Sequence, residues 1–422
     1  MTGDQSSKRA MLLACHDCGG IHRVVPGSAH GSFACATCGR TLFRNKGRGI
    51  EHALALNLAA LVLFGVANIF PIMSMSLGGQ TQAASLAGSV VALYRNQMPG
   101  LALLVFLVAI GVPLVRIIGM IFVLGQVLAG GRSRLRAPVF RIVWKLHPWA
   151  MTEVYLLGLV VAWVKLRDLA TIEPGLGILA LALLIVIMLW AESVLEPGEV
   201  WERIGPQVRE PDSGSEVFGF LCCHGCGLLV PQTEAEHVCP RCQGALHPRK
   251  PDSLARTWAL LIAAAILYIP ANVMPVMTVT SLGRGEPDTI LSGVKAMIAL
   301  GMWPVAILVL FASIVVPCLK LIGLVYLLLS VQCGSTRRRR DRTILYRVIE
   351  GVGRWSMVDI FMISILVALV ELGEVATIQP GQGAVAFAGV VVLTMLASAS
   401  FDPRLIWNIE ESGRESSAST RT

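Results

Sequence analysis

Asn68-Ile-Phe-Pro71-Ile-Met73 returns 204 residues later (272 − 68) as Asn272-Val-Met-Pro275-Val-Met277. In both places an amide and a helix-breaking proline close a long apolar run. The same offset carries Pro113-Leu-Val-Arg116-Ile-Ile-Gly119 onto Pro317-Cys-Leu-Lys320-Leu-Ile-Gly323. An offset of 206 carries Trp149-Ala-Met151-Thr-Glu153 onto Trp355-Ser-Met357-Val-Asp359, and Ala170-Thr-Ile-Glu-Pro174-Gly onto Ala376-Thr-Ile-Gln-Pro380-Gly. Aligned motifs separated only by small insertions mark a duplication, because two unrelated hydrophobic helices share composition but not register.

The duplicated unit belongs in a bilayer. Over 422 residues, 55% are hydrophobic and 15% charged, with a mean hydropathy of +0.68, too apolar for a soluble protein. A spanning helix needs about 20 mostly apolar residues. Eight segments qualify, near 53–72, 100–125, 149–166, 177–195, 257–275, 304–330, 355–373 and 383–400. Four fall in each half, so the halves insert in the same orientation, as parallel repeats do. The polar start shows no secretory pattern of basic, apolar and small-residue regions.

Short loops rich in Arg and Lys set the orientation. Arg44, Lys46 and Arg48 precede the first span; Arg132, Arg134, Arg136, Arg141 and Lys145 follow the second. Arg337 to Arg340, Arg342, Arg347 and Arg354 follow the sixth. This places both termini in the cytoplasm and the stretches near 73–99, 167–176, 278–303 and 374–382 on the far side. The net charge of +8 then reads as a topology signal with attraction to anionic lipid, and nucleic acid is not an expected partner. Ser85 to Tyr94 and Thr289 to Ala299 read as short amphipathic helices on the far side.

A cysteine quartet precedes each apolar half: Cys15, Cys18, Cys35 and Cys38, then Cys223, Cys226, Cys239 and Cys242. A Cys-x-x-Cys knuckle presents two thiolates on one tight turn, and two knuckles complete a tetrahedral site, so each quartet predicts one structural zinc, two per chain. Gly19, Gly39 and Gly227 stand where such knuckles turn. Cytoplasmic placement disfavours disulfides, and a thioredoxin-type pair would need a βαβ pattern that is missing. Cys222 could exchange with Cys223 as ligand, but the repeat alignment selects Cys223. His16, His22, His30, His224 and His237 read as surface side chains. The expectation is therefore an all-α polytopic membrane protein of two tandem repeats, each a small cytoplasmic zinc ribbon followed by four transmembrane helices. The divisions are 1–48 and 49–200, then 201–250 and 251–408, with a disordered tail at 409–422.

Ionisable residues inside apolar spans are costly and therefore functional candidates. Arg116 and Glu153 in the first repeat align with Lys320 and Asp359 in the second. One reading is an ion pair on neighbouring spans that fixes helix packing, assigned here to Arg116 and Glu153. The second repeat adds Ser313 seven residues before Lys320, Ser356 three before Asp359, and Thr394; the first has Ala109, Ala150 and Met188 at these positions. The sister repeat dispenses with this set, so folding alone does not account for it, and Lys320, Asp359, Ser313, Ser356 and Thr394 are assigned to a polar transport site. Lys165 and Glu371 align with opposite charges and share no duplicated role. Pro71, Pro113, Pro275 and Pro317 kink or end their spans, which packing or a lateral path for a lipid tail would both explain.

The tandem cysteine heads, four spans per repeat, the Asn-x-x-Pro-x-Met segments and Met302-Trp303-Pro304 ahead of a Pro-x-Leu-Lys span together resemble the paraquat-inducible protein A family. The resemblance covers nearly the whole chain. It implies a multi-pass inner-membrane protein of a Gram-negative cell, carrying membrane phospholipid to or from a periplasmic MCE-domain protein and supporting outer-membrane integrity. A zinc- or redox-responsive scaffold without transport is the alternative. An enzyme is not expected: it would need a nucleophile with a positioned base or an open metal site, and the four-cysteine sites look closed. No G-x-x-x-x-G-K-[ST] loop occurs, so energy would come from an ion gradient, a partner or downhill lipid flow.

Overall fold

The computed structural model describes residues 11–24, 32–44, 49–77, 80–131, 133–166, 171–205, 220–231, 238–281, 284–299, 301–370 and 376–410. His30, His237, Glu371 and residues 411–422 of the expected tail lie outside the described residues. Eight described helices are long and apolar enough to cross a membrane: Gly49–Ile69, Pro99–Leu128, Arg136–Leu166, Leu176–Val194, Ser253–Val273, Trp303–Gln332, Arg339–Leu369 and Gln382–Ser400. The first and fourth spans of each repeat pack along one another, and the two third spans meet at the centre.

The third span of each repeat starts earlier than its apolar run suggests. Arg136–Leu146 forms an amphipathic arm, breaks in a 3-10 turn at His147–Trp149 and resumes as Thr152–Leu166. Arg339–Val352, Gly353–Met357 and Val358–Leu369 repeat the pattern. The arms carry arginines that hydrocarbon would strip of water, so they stay at the boundary and only the apolar remainder enters. The inner helices of 15 and 12 residues are roughly 22 and 18 Å long at 1.5 Å per residue. Every residue of Val358–Leu369 is buried. Its closest neighbour is Gly158, where a Cβ would lie 2.9 Å from the Phe361 Cβ and 3.1 Å from the Val358 carbonyl oxygen. Tyr155 and Phe361 stack edge-on beside it, 5.3 Å between ring centres.

Sequence patterning missed two small sheets on the side away from the heads. Met73–Leu77 pairs antiparallel with Gln80–Ala84 and with Thr171–Pro174, and Met277–Ser281 pairs likewise with Arg284–Asp288 and Ala376–Pro380. The duplicated motifs build this cap. Asn68 and Asn272 each donate back to the preceding turn, at 2.8 Å to the Phe64 and Tyr268 carbonyls. The chain then leaves the helix at Pro71 or Pro275. The freed carbonyls accept from the start of the fourth span: Gly175 to Ile72 at 3.0 Å and Gly177 to Pro71 at 3.0 Å, Gly381 to Val276 at 2.8 Å and Gly383 to Pro275 at 3.0 Å. Backbone groups near hydrocarbon must be satisfied internally, and these bonds do it. Behind each sheet lie the short helices Leu86–Arg95 and Ile290–Ala299.

Pro113 and Pro317 do not kink their spans apart. A π-turn precedes each, at Phe106–Gly111 and Phe311–Val315, with the Val112 N–H donating to Leu107 and the Val316 N–H to Phe311. The extra residue absorbs the missing proline N–H, and the Tyr268 hydroxyl donates to the Ile314 carbonyl at 3.3 Å. Ser313 sits inside the second π-turn, the kind of helix defect that frequently marks functional positions.

The cap gives a steric test. A Cβ at Gly175 or Gly381 would lie 2.2 Å from the carbonyl oxygen of Pro71 or Pro275. Gly175→Ala and Gly381→Ala are expected to lower thermal stability in detergent by about 1–3 kcal/mol through overpacking. Gly100→Ala and Gly198→Ala, with open space around them, are expected to leave the melting temperature unchanged.

Candidate metal heads and an intramembrane polar cluster

Each head is built from short hairpins whose turns carry the cysteines. In the first, Met11–Ala14 pairs with Ile21–Val24 and Ser32–Ala34 with Thr41–Arg44. Gly19, Gly39 and Gly227 take left-handed φ of 75°, 74° and 73°. At the fourth knuckle Gln243 takes φ 56°, so glycine marked three of the four turns. All eleven cysteines are free. The Sγ atoms of Cys15 and Cys38 lie 3.4 Å apart and those of Cys18 and Cys35 3.5 Å; in the second head Cys223 and Cys242 are 3.4 Å apart and Cys226 and Cys239 3.6 Å. Those spacings far exceed an S–S bond of about 2.05 Å and approach the roughly 3.8 Å expected of four thiolates around a metal with bonds of about 2.3 Å. Each quartet can hold one metal ion.

Of the head histidines, His22 brings Nε2 to 3.1 Å from Cys35 Sγ, a thiol partner rather than a surface side chain. His16 and His224 meet edge-on with ring centres 6.0 Å apart, joining the two heads. Burial, reinforced by Arg404, pushes the His224 imidazole down to about 4, so it is neutral at physiological pH.

The heads are exchanged between repeats. The first head docks on the second repeat: Arg347 Nε bonds Asp17 at 2.6 Å, and its guanidinium reaches the Cys38 carbonyl at 3.3 Å and Sγ at 3.2 Å. Arg40 also pairs with Asp17, Arg404 donates to the His16 carbonyl at 3.2 Å, and Trp407 packs on the cysteine cluster. The second head docks on the first repeat: Arg141 donates to the Cys242 carbonyl at 3.2 Å, and Cys223, Cys239 and Cys242 share a core with Phe140, Val143 and Trp201. Arg141 and Arg347 are 206 apart (347 − 141), the offset of the surrounding motifs. Sequence reading counted both as topology signals; their shared register was the overlooked clue.

The polar residues of the second repeat gather into two neighbouring groups. Lys320 is buried and its Nζ bonds the Thr394 hydroxyl at 2.8 Å, which in turn donates to the Val391 carbonyl at 3.0 Å. Space for the ammonium comes from Gly353, where a Cβ would lie 3.4 Å from it. Asp359 and Ser313 line a cavity of about 40 Å³ together with Lys165 and Asp288. Ser313 donates to the Val309 carbonyl at 2.6 Å. Neither carboxylate oxygen of Asp359, nor the buried Ser356 hydroxyl, has a hydrogen-bond partner among the described residues. Asp359 occupies the first turn of its helix, where the macrodipole favours a negative charge. On its other side an apolar groove of about 170 Å³ runs between the repeats, lined by Leu157, Val161, Phe311 and Val358. No ion pair joins Lys320 to Asp359 among the described residues.

The expected Arg116–Glu153 pair is not formed. Arg116 pairs with Glu192 on the fourth span, which also lies 3.3 Å from His147, and Glu153 faces Arg354 of the second repeat at 3.7 Å. The reason is reach and register: Glu192 lies one turn beyond Met188, the counterpart of Thr394, so the longer arginine finds a carboxylate where the lysine finds a hydroxyl. Lys165, dismissed from its opposite-charge alignment, enters the second repeat's cavity from the first.

Comparison with known proteins agrees with this architecture. The model of the family "Paraquat-inducible protein A" matches residues 50–205 and again 254–410. Intermembrane transport protein PqiA of Escherichia coli strain K12 is 34% identical over 405 residues, covering 94% of this chain and 96% of that protein. Lipophilic envelope-spanning tunnel protein A of the same strain is 30% identical over 94% and 92%, and a probable intermembrane transport protein of Haemophilus influenzae is 27% identical over 89% and 90%. No solved structure matches the chain. Two family matches laid over two copies of one helical unit establish that this multi-pass membrane protein belongs to the paraquat-inducible protein A family.

Proposed function

We propose that the chain is the inner-membrane subunit of an intermembrane phospholipid transport system, exchanging lipid with a periplasmic MCE-domain partner, and that it is not an enzyme. Asp359 carries the reading: a buried carboxylate stands between an apolar groove open between the repeats and a small, mostly apolar cavity in which Ser313 and Lys165 are its polar neighbours. The groove suits an acyl chain and the cavity suits a proton or headgroup. Ionisable groups are expensive in hydrocarbon even when a partner is near, so this placement is hard to explain by packing. Lys320 with Thr394, Ser313 and Ser356 completes the working set. The relatives named for intermembrane transport support the same conclusion. In the heads the metal is zinc and its role is structural, since four thiolates close the coordination sphere. Heads and termini are cytoplasmic, and the capping sheets face the periplasm.

Three outcomes are expected. Asp359→Asn and Lys320→Ala each lower transfer of fluorescent phospholipid between vesicles, measured with the purified chain and its MCE partner, by about tenfold or more, equivalent to about 1.4 kcal/mol or more in barrier height. Membrane abundance stays near normal, and Ser356→Ala or Thr394→Ala lose part of the rate. The charge-exchanged double variant Lys320→Asp with Asp359→Lys stays inactive; full recovery would return the residues to a packing role.

Metal analysis returns about two zinc ions per chain, from the eight-thiolate count; a single zinc, or coloured iron, would refute the two-head assignment. Arg141→Ala and Arg347→Ala keep that stoichiometry but lose metal to a chelator faster, because each removes a bond to the last cysteine of the docked head. For orientation, alkaline phosphatase fused after Thr81 or Thr171 is active and after Arg134 or Arg337 inactive, and the reverse pattern would invert the topology.

A further inference from the structure

The first repeat holds a second site that the transport reading does not use. Two cavities, of about 270 and 120 Å³, share Arg116, His147, Met188 and Glu192 as walls. The larger continues past Trp144 to Glu196, and the smaller ends against Glu153 and Arg354. Both are open at the surface of the spans, where the lining residues Trp144 and Leu189 are 42% and 54% exposed. Both lie at the end of the spans that adjoins the cysteine heads. Glu192 lies within the last turn of Leu176–Val194, and the end of that helix abuts Gly49, the start of the first span. Arg136–Leu146, whose Arg141 holds the second head, forms the neighbouring wall.

The charges specify the ligand. Arg116 and Arg354 offer guanidinium forks suited to a phosphate, and His147 adds a ring donor. Glu153, Glu192 and Glu196 offer acceptors for an ammonium and repel a purely anionic guest. A ligand with one phosphate and one nearby ammonium answers both signs. The second repeat lacks the carboxylate and imidazole of this set: Ser398 stands at the position of Glu192 and Gly353 at that of His147, at the offset of 206. We propose that this cleft binds the headgroup of a zwitterionic glycerophospholipid from the leaflet on the side of the heads, phosphate toward Arg116 and Arg354 and ammonium toward Glu153 and Glu192. The proposal stands apart from the transport site of the second repeat, because binding is read without transfer.

The test uses the full chain in nanodiscs, with a photo-crosslinking amino acid at Leu189 and radiolabelled lipid. Labelling by phosphatidylethanolamine is expected to exceed labelling by phosphatidylglycerol by about tenfold, the effect of one charge-assisted contact. Arg354→Gln weakens both. Glu153→Gln, at an exposed position that leaves Arg116 and Glu192 paired, erases the preference while sparing phosphatidylglycerol. Arg116→Gln combined with Glu192→Gln removes labelling without stranding either charge. Equal labelling by the two lipids in the unmodified chain, or no change in Glu153→Gln, would overturn the assignment. Displacement of the label by millimolar inorganic phosphate alone would reassign the cleft to a free anion and equally refute it.

Discussion

The approach of Thr152–Leu166 to Val358–Leu369 at Gly158 is the contact on which the remaining architecture depends. With no side chain at that position, backbone meets side chain at van der Waals distance, and the two repeats fuse through their third spans. Packing rather than water exclusion holds helices together in lipid, so small residues decide where they touch. The consequence reaches well beyond packing. Val358–Leu369 becomes a short helix enclosed on all sides, and its first turn delivers a carboxylate to the middle of the molecule. Longer third spans would have crossed the bilayer without this buried start.

Around that shared seam the duplication has kept its scaffold and changed its charges. Both repeats retain the capping sheet, the glycine donors to the proline segment, the π-turn and the docking arginine. What differs is where a basic residue of the second span finds its partner. In the first repeat Arg116 meets a carboxylate, and the charge is neutralised inside a mixed-sign cleft. In the second Lys320 meets only a hydroxyl, and Asp359 is left facing a cavity that also takes Lys165 from the opposite repeat. A buried ammonium such as Lys320, held by a hydroxyl with no ion-pair partner among the described residues, is destabilising for the folded state, so its presence beside a satisfied homologous copy argues for a working role.

Much of this was legible in the chain. The spans follow from hydropathy, the heads from knuckle spacing, and the repeat from subtraction of residue numbers. The polar set in the second repeat could be found because the first repeat serves as an internal control. What stayed hidden has physical causes. The capping strands are only four or five residues long, and alternation as brief as Met73-Ser-Met75-Ser, whose two methionines are buried, is too short to stand out beside the apolar spans that flank it. Pairing of Arg116 depends on side-chain length and on one helical turn, which alignment of opposite charges does not resolve. Gln243 tolerates a left-handed turn that glycine would have advertised. The exchange of heads between repeats leaves no local trace, because contacts between residues some 300 apart, such as Arg347 with Cys38, have no signature in sequence periodicity.

That exchange also says what the heads are for mechanically. A cysteine head joined only to the repeat that follows it would be a tethered ornament; here each one sits on the arm of the other repeat, and His16 and His224 close the pair across the middle. Arg141 and Arg347 bond the backbone of the last cysteine in each quartet, and Arg347 also reaches the Cys38 sulfur, so the cysteine sites and the arm positions are directly linked. Arm Arg339–Val352 continues through the turn containing Gly353 and Ser356 into the helix that carries Asp359. A rigid head on this arm therefore fixes the entry angle of the segment that presents the intramembrane carboxylate. This gives a folding-energy source outside the bilayer a direct mechanical line to the polar cluster within it.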